Sequence, residues 1–363
     1  MLAAACHAMA RVPAVSALLA AMLAAAVPGS IAFAPAPTRV FAAPLLRRGR
    51  VDTCCAAGAG GGGGTTSGVA EVLRGASVLD PATGAAAPVL QGLTSGQRAL
   101  VVLAPQLGDF DSAEYAEQLA AAYGDLGAAD IGLRFVGIGD AAAAKRFAAF
   151  NGLPLECVRV DPCGSLHARL QLHAGPDWDV PPFMARLLPA DAAVQARARA
   201  WLNYMAMCAG LGSRGTLREI ARGYLGDKAA PERLAPDAVV EAGPVRIMGV
   251  RRVKLGPLEY DQLWKEERGY QRPVELATVR LRVMVEVLAN WREYVSDDAH
   301  LARRGATFLL DADGSTLLYE HRDTGVLTYS ATMPRPLSFL EPYIGAERAG
   351  DPQGFAKLPV AGA

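Results

Sequence analysis

Residues 98–115 read RALVVLAPQLGDFDSAEY, and this stretch limits the possible folds more than any other. Six apolar residues run unbroken from Ala99 to Ala104. The run is far too short to span a bilayer, and it lacks the alternation of a strand with one wet face. It suits a strand buried on both sides, in a parallel sheet with helices above and below it. Asp111-x-x-Glu114 then offers a capping box. Tyr115, Leu119, Ala122, Tyr123 and Leu126 recur at helical spacing, so a helix is expected through about Leu126.

The pattern repeats. Ile131–Ile138 reads as a second strand, and Asp140 caps a helix over Ala141–Phe150. Cys157–Asp161 is a third, short strand that Pro162 closes. Two successive β-α-β units demand a parallel sheet with right-handed crossovers. Farther on, residues 190–209, 216–224 and 273–295 read as helices. The last opens at Pro273 and carries Leu276, Val279, Val283, Val287 and Trp291 in one stripe. Ala306–Leu310 and Ser315–Glu320 flank Asp311-Ala-Asp-Gly314, which predicts a β-hairpin. A final amphipathic helix starts near Pro336 and holds Leu337, Phe339 and Leu340. This order is that of an α/β, thioredoxin-like three-layer sandwich, with a large mainly helical insertion at about 175–300 before the C-terminal β-hairpin.

The first 51 residues hold Arg11, Arg39, Arg47, Arg48 and Arg50 and no Asp or Glu. An apolar run from Ser16 to Val27, ended by Pro28 and followed by Ser30-Ile31-Ala32, reads as a signal peptide over residues 1–32. Its core is shorter than the roughly 20 residues a bilayer requires. Residues 33–57, opening Phe33-Ala-Pro-Ala-Pro, are rich in Arg and Ala and free of acid until Asp52. The Ala-Phe-Ala-Pro junction at Ala32–Pro35 resembles the bipartite leader of algae with secondary plastids. That resemblance implies import into the plastid stroma. Residues 58–68 form a Gly-rich linker, 69–345 the folded body and 346–363 a disordered tail.

The whole chain is neutral, with 36 basic and 36 acidic residues. Five of the basic residues and none of the acidic ones precede Asp52, so the remainder carries about −5. A mildly acidic body gives no electrostatic reason to expect nucleic acid. No later segment has the roughly 18 uncharged apolar residues of a membrane span. Of six cysteines, Cys6, Cys54 and Cys55 sit in or at the end of the leader, and Cys157, Cys163 and Cys208 lie in the body. No pair is C-x-x-C, which fits a reducing compartment.

In order, LVVLAPQLGDFDSAEYA, GLRFVGIGD, VRVDPCGSLHARLQL, GTLREIARGYLGD, ERGYQRPVELATVRLR and GATFLLDADGSTLLYEHRDTGVLTYS, with PLSFL after it, resemble the AhpC/TSA-type peroxiredoxin-like family. The resemblance covers about residues 96–341 and points to a cyanobacterial and algal plastid branch. Redox-active members carry Phe-Gly-Cys-x-x-Cys after the first long strand. On this sequence Leu107-Gly108 takes the Phe-Gly positions, Asp109 the first cysteine and Ser112 the second. A carboxylate cannot be oxidised by peroxide or exchange disulfides. The expectation is therefore a non-catalytic binding or scaffold role, with the old loop and the insertion presenting a recognition surface. The alternative is an antioxidant thiol oxidoreductase or peroxidase working through a displaced cysteine, Cys163 or Cys208, with Cys157 a further thiol. No cofactor and no metal are expected. A protein partner is possible, but the sequence identifies none and gives no oligomeric state.

Rival motifs have plainer readings. Asp311-Ala-Asp-Gly-Ser-Thr looks like a phosphatase nucleophile motif but reads better as the hairpin turn. Gly210-Leu-Gly-Ser-Arg-Gly215 matches G-x-G-x-x-G but lacks the preceding strand of a dinucleotide site. Asp109, Asp111 and Glu114 could bind a metal, but capping is the simpler role, with Asp111 or Ser112 as the cap. Cys163 and His167, four apart, could form a thiol–base pair or a metal site. Arg280 and Arg282 read as a solvated helix face, Arg282 paired with Glu286 at i,i+4.

Overall fold

A computed structural model describes residues 66–93, 96–208, 283, 286–324 and 336–345, and the backbone of four strands between residues 239 and 261. The leader, the Gly58–Gly64 run, the expected helix at 216–224, most of that at 273–295, the Gly210–Gly215 motif, Arg280, Arg282 and the tail lie outside the described residues, as does the side chain of Cys208. The described residues all fall in one compact unit, Thr53–Ala363.

Helix α1 (Thr66–Arg74) precedes a small hairpin, β1 (Ser77–Leu79) and β2 (Ala86–Pro88), neither of which the sequence pattern announced. The alternation then begins with β3 (Arg98–Gln106), α2 (Phe110–Ala121) and α3 (Tyr123–Ala128). The expected single helix is thus two, divided at Ala122. β4 (Ile131–Ile138) leads into α4 (Ala141–Asn151), which Asp140 caps by accepting from the Ala143 N–H at 2.9 Å. Gly152 ends α4 in the left-handed conformation, φ 71°, as a C-cap glycine should. β5 (Val158–Val160) and the short α5 (Ser165–Arg169) follow. The chain returns to the sheet with β10 (Ala306–Leu310) and β11 (Leu317–Arg322), and ends in a 3₁₀ turn, Ser338–Leu340, with α9 (Glu341–Ile344).

The sheet has seven strands in the order β11-β10-β3-β4-β5-β1-β2. β3 is parallel to β4 (Leu100 opposite Leu133) and β4 to β5 (Phe135 opposite Val158). β10 runs antiparallel to β3, with Phe308 opposite Val101. The continuous apolar run follows from its two faces. Leu100, Val102 and Ala104 join a core with α2 and α4, through Ala116, Leu119, Ala144 and Phe147. Ala99, Val101 and Leu103 join a second core with α1 and α5, through Val69, Leu73, Leu166 and Leu170. Helices on both faces of this mixed sheet make the three-layer, thioredoxin-like α/β sandwich. The hairpin turn also forms as expected. Gly314 adopts φ 66°, and the Asp313 carboxylate accepts from the Ser315 and Thr316 N–H groups, so that side chain belongs to the turn.

The insertion departs from the sequence reading in one respect. It contains α6 (Pro182–Ala185), α7 (Ala192–Cys208) and α8 (Trp291–Tyr294), but also an antiparallel meander. β6 (Val239–Ala242), β7 (Val245–Met248), β8 (Arg252–Leu255) and β9 (Leu258–Asp261) pair in that order. Gly-Pro separates β6 from β7 and β8 from β9, and β8 and β9 each alternate in polarity, a signal of period two. Glu286 accepts from Arg146 of α4 at 2.6 Å and from the Tyr294 hydroxyl at 3.0 Å, so it ties the insertion to the sandwich.

Candidate functional site

The loop after β3 is where a thiol enzyme of this fold would carry its cysteines. Asp109 is the N-cap of α2, with extended backbone (φ −75°, ψ 128°). One carboxylate oxygen accepts from the Ser112 N–H at 2.9 Å and from the Ser112 hydroxyl at 2.8 Å. This corrects the expected cap: Asp109, not Asp111 or Ser112, satisfies the first turn of the helix. The other oxygen accepts from Arg304 Nη2 at 3.0 Å. Arg304 Nη1 also lies 3.9 Å from Asp111. Both ends of the pair are sealed from water, with side chains 2% and 4% exposed.

Burial alone would raise the Asp109 carboxyl. The Arg304 charge and the hydrogen bonds from Ser112 and Arg304 outweigh it, and Asp109 is held below the usual carboxylate range. Asp323, after the end of β11, goes the other way. Burial pushes it well above that range, the Arg304 charge opposes the rise, and Asp109 and Asp111 add to it. One guanidinium thus acts on three carboxyl groups, lowering Asp109 and opposing the rise of Asp323. The Asp323 N–H donates to the carbonyl of Gly305, next to Arg304, at 3.0 Å, and its carboxyl lies 3.5 Å from His321 Nε2. Tyr115, 1% exposed, accepts a long hydrogen bond from Thr307 at 3.4 Å.

The insertion covers this loop. A Cβ on Gly108 would lie 2.6 Å from Val295 Cγ2 and 3.4 Å from Tyr294 Cβ, so glycine is needed for the segment after α8 to approach. Phe110 packs edge-on to Tyr204 of α7, centroids 5.9 Å apart, and Tyr204 is fully buried. Every residue from Gln106 to Ser112 is buried. The expectation that the loop presents a recognition surface is therefore overturned: the insertion's own side chains occupy that space.

The other sequence-predicted residues fall elsewhere. Cys157 is buried, and burial pushes its thiol up despite the nearby Tyr123 hydroxyl and the Arg134 and Arg159 charges. Cys163 is half-buried in the turn before α5, and neither thiol is in a disulfide. His167 Nε2–H donates to the Ala104 carbonyl at 2.9 Å, which fixes its tautomer. Asp109 and Ser112 are in direct contact. Arg304 and Asp323 were missed by sequence reasoning. Arg304 lies 195 residues from Asp109, and its only local signal is a cation pair just before a buried strand.

Among the described residues, no group of three or more His, Cys, Asp or Glu side chains is placed to hold a metal ion. No helix there is long and apolar enough to cross a membrane. No curated protein and no solved structure matches the chain. A family model described as AhpC/TSA antioxidant enzyme matches residues 118–325, more than half of the 363 residues, starting inside α2 beyond the Asp109 loop. The chain belongs to the AhpC/TSA antioxidant enzyme family.

Proposed function

We propose that this chain is a plastid-stromal member of the family that has given up thiol chemistry at the usual loop and acts by binding. The observation that carries this reading is the buried Asp109–Arg304 pair. A thiolate there would be nucleophilic, held by the same N–H groups and guanidinium. The carboxylate takes those donors and offers peroxide nothing to oxidise. The cover supplied by Tyr204, Tyr294 and Val295 supports the same reading, because it bars substrate from the loop. A partner would then meet the insertion, where Trp178, Phe183, Met184, Leu187 and Val194 are exposed large apolar side chains. The bipartite leader supports the plastid assignment, and a fluorescent fusion to residues 1–65 tests it, with Phe33→Ala expected to divert the reporter.

The test of the binding role is catalytic silence. The full chain, incubated with peroxide and a thioredoxin reducing system, is expected to give no turnover above a protein-free control. A displaced-thiol peroxidase is the second reading, favoured at Cys163 by its half-exposure. Turnover that Cys163→Ser or Cys208→Ser abolishes would establish that reading and overturn the first.

A further inference from the structure

Six large apolar side chains are exposed among the described residues, and five of them fall in one stretch of the insertion. These are Trp178, Phe183, Met184, Leu187 and Val194; the sixth, Leu318, lies on β11. No residue from Asp177 to Ala196 is buried. A stretch of that length is about what one side of a standard protein interface presents.

The surface is held in place. Asn203 of α7, 3% exposed, accepts from the Trp178 N–H at 2.7 Å and donates to the Trp178 carbonyl at 3.0 Å. Gln195 of the same helix donates to the Ala185 carbonyl at 3.3 Å and the Pro189 carbonyl at 2.9 Å, fixing the α6 turn. α7 is itself anchored in the core by Tyr204. A pre-formed surface loses little freedom on association.

The charges on this stretch form two unbalanced groups. Arg199 Nη2 lies 2.7 Å from Asp177 and its Nε 3.0 Å from Asp179, so two exposed carboxylates share one guanidinium. Arg186 is exposed, and no carboxylate among the described residues pairs with it. The other charges are already used. Asp191 accepts from the Ala193 and Val194 N–H groups at 2.7 and 3.1 Å, and Arg197 donates to Asp298 at 3.0 Å. The stretch therefore has a surplus carboxylate toward one end and a spare cation farther along, with Phe183 and Met184 between them in the chain.

We propose that this surface binds a second copy of the chain in a two-fold symmetric contact. The inference rests on the binding role proposed above and names its partner. In such a contact Arg186 of each copy faces the Asp177–Asp179 pair of the other, and the exposed apolar side chains close between them. The surface is its own complement, with each charged group used twice. A purely acidic or purely basic peptide would satisfy only one of the two groups. A lipid surface favours a cationic patch, whereas here a carboxylate stands on each side of Trp178.

The experiment is sedimentation velocity on the full chain across a concentration series, with peroxide turnover measured on the same samples. The expected result is a monomer–dimer equilibrium with a dissociation constant of about 10 μM. Arg186→Glu should weaken it more than about tenfold, because two like-charge contacts replace two attractive ones. Asp177→Arg/Asp179→Arg should weaken it likewise. An equimolar mixture of these two variants should dimerise again, since each now complements the other, and that recovery separates a lost contact from a misfolded chain. A monomer at every concentration, a dimer that Arg186→Glu weakens less than tenfold, or a mixture that stays monomeric overturns the proposal. So does a monomer that sediments with phosphatidylcholine vesicles and ceases to do so in Leu187→Ser, which assigns the surface to lipid. The turnover readout bears on the binding role alone: turnover overturns that role, whereas a silent monomer overturns only the dimer.

Discussion

Asp109→Ala is the substitution that most directly tests how this loop is held. It removes a carboxylate that caps α2 and neutralises a guanidinium with 2% exposure. Losing a helix N-cap costs about 1 kcal/mol. Leaving a buried charge without its partner costs about 3–5 kcal/mol. Asp111, 3.9 Å from Arg304, can take up part of that charge, so the terms do not simply add. The expected total is about 4 kcal/mol, a large share of the ~5–15 kcal/mol that holds a domain folded. Asp109→Asn separates the two contributions. Asparagine caps as well as aspartate, so only the charge-assisted bond is lost, at about 2 kcal/mol. The assay is urea unfolding of the full chain at pH 7, with Arg304→Met and the double variant Asp109→Ala/Arg304→Met completing a cycle. The double variant should be less damaged than the sum of the single ones, because no uncompensated charge remains. If Asp109→Ala costs under about 1 kcal/mol, or if the cycle shows no coupling, the pair does not hold the loop and the reasoning fails.

Further outcomes follow from neighbouring features. Gly108→Ala should destabilise by about 1–3 kcal/mol through contact with Val295 Cγ2, and Val295→Ala should recover most of the loss in the same unfolding assay. His167 is held down to about 4 by burial, against about 6.5 unfolded. The unfolded chain therefore binds the extra proton first, and stability should fall as pH drops from about 6.5 towards 4, by up to about 3 kcal/mol, a slope that His167→Gln flattens. Asp323 has the opposite sign. Its folded carboxyl is raised, so its contribution is complete below the unfolded value of about 3.9 and declines as pH rises towards the folded value. Asp323→Asn should remove that decline, measured as the difference in urea midpoint between pH 4 and pH 8. Phe183→Ser and Leu187→Ser, both exposed, should each change stability by less than about 0.5 kcal/mol.

What the sequence made legible was whatever depends on local period. The unbroken run Ala99–Ala104 announced a strand covered on both faces, and the two cores on either side of β3 are its outcome. Asp140 and Gly314 were readable because a cap and a tight turn each need one residue type at one place. Asp109 as the cap was misread, because Asp111 and Glu114 make a capping box on paper that starts two residues later than the real helix. Arg304 could not be read at all. Its partner is far along the chain, and nothing in Arg303-Arg304 says which of two adjacent cations goes inward. The meander was overlooked because its strands are only four residues long, although the alternation of β8 and β9 and the Gly-Pro breaks were present.

The close approach of Val295 to Gly108 has a consequence for access and for history. Any small molecule that is to reach the head of α2 must wait for the covering segment to lift, and each 1.4 kcal/mol of opening free energy slows the encounter about tenfold. An opening cost of about 4 kcal/mol would lower an otherwise fast oxidation about a thousandfold. Putting cysteines back at positions 109 and 112 would therefore not by itself give back an enzyme. The chain would also have to shed the side chains that now roof the loop, and those belong to the core shared with α2 and α4. Substitution and cover form a double lock, each making reversal of the other useless on its own.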